Sequence, residues 1–180
     1  FAQNGTFTIS EITRLATNHS ESFIGAVDKT AQFVSGTTFD FSVNGNDYSI
    51  DVSALAAENQ TLEGLRDAIN DQAGDDVTAV VINTGDANDP YKLSLRSNES
   101  GEDAQITGIS TDIQVTTSAG AAALDTVAEE QVLGQDALFT FNGVEISRGS
   151  NTVDDLLEGI SFTLQAESAS PVSITVDTDT

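Results

Sequence analysis

The sequence predicts an α+β fold that is mainly β, with two small domains of β-hairpins packed with short helices. Three observations carry this expectation. Asn44-Gly45 and Asn142-Gly143 each sit between runs that alternate apolar and polar residues. A short stretch with helical apolar spacing follows each pair. Late in the chain, TTSAGAAA at Thr116–Ala123 has the small-residue composition of a linker, which places a return from one domain to the other there.

The clearest unit is ALFTFNGVEISRGSNTVDDLLEGI, Ala137–Ile160. Asn-Gly suits a two-residue type I′ turn, because both central residues need positive φ. Such a turn sets Phe141 opposite Val144 and Phe139 opposite Ile146 on one face, with Thr140 and Glu145 on the other. Turn chemistry and alternation therefore select the same register. A short helix is expected next. Thr152 would be its N-cap, Asp154 and Asp155 would lie in the positive first turn, and Val153, Leu156, Leu157 and Ile160 would form one apolar stripe. That helix would cover the hairpin, which is marginal alone.

The same pattern occurs earlier. Phe39, Phe41 and Val43 lead into Asn44-Gly45, and Tyr48, Ile50 and Val52 lead out, so the turn pairs Phe41 with Tyr48 and Phe39 with Ile50. Thr61 caps the helix that follows, whose stripe is Leu62, Leu65, Ala68 and Ile69. Thr61–Ile69 aligns with Thr152–Ile160 without a gap, so the chain reads as two related β-β-α units. Two copies are too few for a solenoid.

The remaining elements follow in order. Gly5–Ile12 alternates as a strand, but Ile12 and Leu15 fall out of step, which predicts a bulge near Ser10-Glu11. Thr17–Lys29 is mixed, and Ala73-Gly74-Asp75-Asp76 ends the first helix. Val77–Thr84 and Tyr91–Ser97 form a hairpin around the turn-rich loop Gly85–Pro90. Ile106–Val115 is a weaker β region broken by Gly108, and Ala123–Val132 adds a helical turn or two. Beyond the second unit, Ser161–Glu167 and Val172–Asp177 are expected to form a last hairpin through Ser168–Pro171, and the DTDT end to be solvated or to continue into further chain.

Charge bounds the partners. Six Lys+Arg against 29 Asp+Glu leave a net charge of −23, so nucleic acid and anionic membrane surfaces, which need basic patches, are poor partners. Salt screens the self-repulsion of such a surface within about 8–10 Å, which suits a salty extracellular setting; an ordinary acidic protein is the alternative. The chain has no cysteine, which excludes disulfide staples and thiol chemistry. No run of 18 apolar residues is present, nor the layout of a signal peptide at the N-terminus. The chain does not begin with Met and is expected to be an excised middle piece of a longer protein.

Little in the sequence is reactive. His19 is the only histidine and has neither a cysteine nor a second histidine to share a metal, so a structural role is expected. Ser-His-Asp catalysis would need His19 as its base, and no serine lies in GxSxG. There is no P-loop and no GxGxxG after a strand. Carboxylates are scattered over turns and helix starts, where solvation and capping explain them. Asp86, Asn88 and Asp89, and separately Asp75 and Asp76, carry oxygen ligands suited to Ca²⁺. They lack the twelve-residue loop with its closing bidentate Glu, so turn chemistry is their expected use. No catalytic, cofactor-binding or metal residue is assigned. From the residues alone the chain is an acidic, mainly β, non-enzymatic interaction or structural protein.

Four runs resemble one family, the flagellar filament cap proteins (flagellar hook-associated protein 2). GTFTISEITRLATNHSESF, Gly5–Phe23, is similar to the run that opens the head of these proteins. TLEGLRDAINDQAGDDVTAVVI, Thr61–Ile82, resembles the flagellin-type motif whose Ile-Asn is Ile69-Asn70 here. KLSLRSNESGEDAQI, Lys92–Ile106, resembles the run after it. GQDALFTFNGVEISRGSNTVDDLLEGISFTLQ, Gly134–Gln165, is the most specific match, with Ser150-Asn151-Thr152 in place. Two departures stand out: Phe7–Ile12 lies one residue out of step with the family pattern, and the long terminal helices that pack on the filament axis are absent.

The resemblance implies two head domains, one inserted in the other. Residues 36–118 would be the inserted head domain, and residues 1–35 plus 119–180 the outer one. It also implies a secreted structural protein, exported unfolded to the tip of the extracellular flagellum, a route that the lack of cysteine suits. There, copies would form an oligomeric ring that assists flagellin folding and polymerisation. Flagellin and other copies of itself are then the partners, with no nucleic acid, membrane or cofactor. The competing reading is an adhesin-like head that binds host or surface glycans or mucin. Two Tyr and nine Phe, mostly on predicted core faces, leave little for a sugar platform.

Overall fold

The structure, a computed structural model, describes residues 5–127 and 130–176. In chain order it contains β1 (Gly5–Arg14), β2 (Asn18–Ser22), β3 (Thr38–Val43), β4 (Asn46–Asp51), α1 (Leu62–Ala73), β5 (Val77–Asn83) and β6 (Tyr91–Ser100). There follow β7 (Thr107–Thr111), β8 (Gln114–Thr117), β9 (Gly120–Ala123), β10 (Ala137–Phe141) and β11 (Val144–Arg148). The last three are β12 (Thr152–Leu157), β13 (Ile160–Thr163) and β14 (Val172–Val176). Strands dominate, as the alternating sequence requires.

The chain divides into two compact units, one of Phe1–Thr17, Glu99–Glu102 and Gly134–Thr180, the other of Asn18–Asn98 and Asp103–Leu133. These limits differ from a division into residues 1–35 plus 119–180 and residues 36–118. Backbone pairing is the reason. β2 joins β6 and β5 in one sheet, Ser20 bridges Val132, and Leu124 is fully buried in the same core as α1.

In the first unit, β11-β10-β1-β14 form a four-stranded antiparallel sheet. Phe141 pairs with Val144, Thr140 with Glu145 and Phe139 with Ile146, in the register expected. Asn142 and Gly143 take φ of 47° and 83°, the left-handed pair that a type I′ turn needs. β1 carries the expected irregularity: Ile9 faces Phe141 but Glu11 faces Thr140, and a second shift follows between Ile12 and Arg14. The extra residues explain the slipped phase, because they turn Ile9 and Ile12, three apart, into the same core.

Thr152–Leu157 is a strand rather than a helix. It pairs with β13, with Val153 opposite Phe162 and Leu157 opposite Ile160, and Gly159 at φ 75° closes the turn. Thr152 is therefore no N-cap; its hydroxyl lies 3.2 Å from that of Thr163. The helical spacing of the stripe has another cause. A bulge between Val153 and Leu157 interrupts the period of two, so Val153, Leu156 and Leu157 all reach apolar contacts. Phe162 covers the hairpin in place of a helix, edge-on to Phe139 at 6.1 Å and stacked on Phe141 at 6.4 Å between ring centroids. The repeat thus ends at the hairpin. The last expected hairpin also gives way: β14 pairs with β1 from Gly5–Val176 to Ile9–Val172, not with the Ser161–Glu167 stretch.

In the second unit, Phe41 pairs with Tyr48 and Phe39 with Ile50, around Asn44 at φ 52° and Gly45 at φ 75°. β7 adds the third strand, and its register shifts opposite Asp40 and Ser42, where Gly108 takes φ 62°. α1 begins where Thr61 Oγ1 accepts the Gly64 N–H at 3.1 Å. Its buried Leu62, Leu65, Ala68 and Ile69 share one core with Phe39, Ile50, Leu93 and Leu95. β5 and β6 form the expected hairpin, from Val77–Ser97 to Asn83–Tyr91. Thr116–Ala123 is no linker but most of a hairpin, β8–β9, pairing Gln114 with Ala123 and Thr117 with Gly120. Its small residues suit a tight turn, with Gly120 at φ 118°. Asp89 fastens the tip, accepting the Ser118 N–H at 2.6 Å and its hydroxyl at 2.8 Å. Part of the helical turn expected over Ala123–Val132, and the DTDT end, lie outside the described residues.

Candidate functional site

The residues singled out in the sequence serve as tethers between elements. Asn70, on α1, sets its carboxamide against the outer edge of β5, the edge strand of its sheet. Its Oδ1 accepts the Ala79 N–H at 2.8 Å and its Nδ2 donates to the Ala79 carbonyl at 2.9 Å. A primary amide presents donor and acceptor side by side, so it imitates one residue of a neighbouring strand and closes the edge there. Ile69 beside it is fully buried. Asn151 repeats this arrangement in the other unit, accepting the Ala16 N–H at 2.7 Å and donating to the Ala16 carbonyl at 2.9 Å. Ser150 Oγ accepts the Thr152 N–H at 3.1 Å, fixing the chain as it enters β12.

The Asn-Gly corners do more than turn. At Gly45 and Gly143 a Cβ would meet nothing within 4 Å, so the positive φ alone favours glycine there. Asn142 Oδ1 accepts the Thr8 N–H at 2.9 Å, clasping β1. Asn44 Nδ2 donates to Asp76 Oδ1 at 3.0 Å, while Asn46 Nδ2 and the Tyr48 hydroxyl donate to Oδ2 at 2.8 and 2.6 Å. These bonds, that of Asn44 foremost and then those of Tyr48 and Asn46, hold the Asp76 carboxyl below the usual carboxylate range. The same bond to Asp76 is the main cause that pushes the Tyr48 phenol up.

Asp76 was legible only as half of an acidic pair; its role depends on a hairpin distant in sequence. Asp86 Oδ1 accepts the backbone N–H groups of Asn88 and Asp89 at 2.8 and 3.0 Å, a local turn that the spacing of acidic and amide residues foreshadows. The N–H of Asp89, then that of Asn88, holds the Asp86 carboxyl below its ordinary value.

His19 is 1% exposed. The Ile106 N–H points at its Nδ1 at 3.1 Å, so Nδ1 is an acceptor and the ring proton sits on Nε2, 3.3 Å from Glu21 Oε1. Gln131 Nε2 donates to the same Glu21 oxygen. Sequence reading missed both: Glu21 follows His19 by two residues, the spacing of one strand face, but the stretch reads only as mixed, and nothing local shows that the fold brings Gln131 to them.

This geometry fastens side chains to the backbone of neighbouring elements. Among the described residues no group of three or more His, Cys, Asp or Glu is placed to hold a metal ion. No aromatic among them is exposed. No helix among them is long and apolar enough to cross a membrane.

The profile of a family described as Flagellar hook-associated protein 2 C-terminus matches residues 134–180. Flagellar hook-associated protein 2 of Escherichia coli is 37% identical over 131 residues, which cover 71% of this chain and 27% of that protein. Its counterpart in Campylobacter jejuni is 29% identical over 160 residues, covering 69% and 23%. A crystal structure of the Escherichia coli flagellar cap protein superposes with a TM-score of 0.80 at 30% identity, over 99% of this chain and 52% of that one. The chain thus spans about a quarter of the length of these two relatives.

Proposed function

The chain belongs to the flagellar hook-associated protein 2 family, and from that premise we propose that it forms the head of a cap at the outer, distal tip of the bacterial flagellar filament. There it works within an oligomeric ring that assists flagellin folding and polymerisation. The family is a structural one and not an enzyme family. The superposition on a flagellar cap over nearly the whole chain is the observation that supports this reading most. The tethers support it too: Asn70, Asn151, Asn142 and Asp76 stiffen each unit. The two compact units act as its two head domains.

Self-repulsion at a net charge of −23 disfavours association of these heads by themselves, so the test uses the full-length protein. It is expected to form concentration-dependent oligomers and to rescue a strain that leaks unpolymerised flagellin. A full-length protein that stays monomeric and fails to rescue overturns the proposal. The adhesive reading finds no exposed aromatic platform among the described residues; saturable binding of the heads to glycans or mucin would revive it.

A further inference from the structure

His19 and Glu21 are the only buried ionisable side chains among the described residues, at 1% and 5% exposure. The imidazole joins three segments of the second unit. Its own strand supplies Glu21, its one ionisable hydrogen-bond partner among the described residues. The stretch before β7 supplies the Ile106 N–H, and the stretch after Glu130 supplies the neutral Gln131 amide, 3.5 Å from Nε2. From β6, the Ser97 hydroxyl accepts the His19 main-chain N–H at 2.9 Å. Ile106 is itself 2% exposed, so water is poorly placed to replace a lost acceptor.

We propose that His19 is an acid-operated latch on the Asp103–Ile106 segment. With Nδ1 bare, the latch is shut on the Ile106 N–H. Imidazoles change charge between about pH 5 and 8, and the incoming proton must go to Nδ1, since Nε2 already carries one. Nδ1–H then faces Ile106 N–H, donor against donor, and the bond is lost. Nε2 keeps Glu21 Oε1, 3.3 Å away, as its partner in either state, so the release falls on the Ile106 segment. The second unit therefore has a fastened state at neutral pH and a locally loosened one in mild acid. This inference stands independently of the cap reading.

Amide hydrogen exchange followed by NMR, expressed as protection factors, tests the latch. Between pH 8 and pH 5 the protection of the Ile106 amide is expected to fall about tenfold or more, while that of Ala79, held by Asn70, stays constant. In His19→Asn the side-chain oxygen takes the place of Nδ1 and does not titrate, so Ile106 stays protected at both pH values. The native chain decides the matter without any variant. Ile106 protection that is constant with pH, or an imidazole whose ring shifts show it neutral down to pH 5, overturns the latch. So does the same acid loss of protection in His19→Asn.

Discussion

Replacing Asn70 by Ala removes both bonds that α1 makes to the outer edge of β5. A neutral hydrogen bond contributes about 0.5–1.5 kcal/mol, and a buried polar group left unpaired costs about 1–3 kcal/mol. Ala79 is 2% exposed, so its freed N–H and carbonyl gain little from water. Two bonds at about 1 kcal/mol each, plus part of that penalty, put the loss at about 2–3 kcal/mol. The better helix propensity of Ala returns only about half a kcal/mol. The assay is urea unfolding followed by tyrosine fluorescence. The chain has two tyrosines, Tyr48 and Tyr91, and both lie in the unit that contains Asn70, so the signal reports that unit. With a urea slope of about 1–3 kcal/mol per molar, the midpoint falls by about 0.7–3 M. A loss under about 0.5 kcal/mol would refute the reasoning, since the clamp would then contribute no more than an exposed side chain. Asn70→Asp sharpens the test: at neutral pH its carboxylate faces the Ala79 carbonyl and is expected to be as damaging as Ala.

Thr61→Ala removes the acceptor of the Gly64 N–H and is expected to lower the same tyrosine-monitored stability by about 1 kcal/mol, with Thr61→Ser retaining most of it. Phe162→Ala strips the cover from Phe139 and Phe141. Because Phe162 is only half-buried, the expected loss is about 2–3 kcal/mol, below the full range for a core phenylalanine. Calorimetry reads it, since no tyrosine lies in that unit; an unchanged melting temperature would contradict the packing role. Asp76 supplies a pH dependence. Its folded carboxyl titrates below the ordinary range, so its contribution is present above the unfolded value of about 3.9 and is lost as pH falls through the lowered folded value. Stability of the second unit should therefore decline from about pH 5 downward, and Asp76→Asn should flatten that decline. Identical acid slopes in the two proteins would count against the cluster.

The hairpins at Asn44-Gly45 and Asn142-Gly143 and the capped helix after Thr61 were legible because each is decided within a few residues, by positive φ, alternation and a hydroxyl acceptor. The bulge in β1 showed as a slipped phase for the same reason. The candidate site was legible only in part. Asn70 and Asn151 stood out by family resemblance, but their clamping of Ala79 and Ala16 depends on which backbone edge the fold lays beside them. Asp76 and Gln131 carried no local signal, since their partners are far away in sequence; Glu21 lies two residues from His19 on one strand face, but their joint burial depends on the rest of the fold.

By itself, then, the sequence determined the elements whose free energy is local, together with the mainly β class and an acidic surface unsuited to nucleic acid. Tertiary structure decided Thr152–Leu157, where a bulged strand brings Val153, Leu156 and Leu157 to the core as the helical spacing would have done. Propensity differs between the two by only a few tenths of a kcal/mol per residue, whereas pairing with β13 brings Phe162 over the hairpin. It also decided where the two units divide, because β2 follows the open edge of β6 and not the composition of the loop after it. Long-range pairing energies exceed local preferences wherever those are nearly balanced.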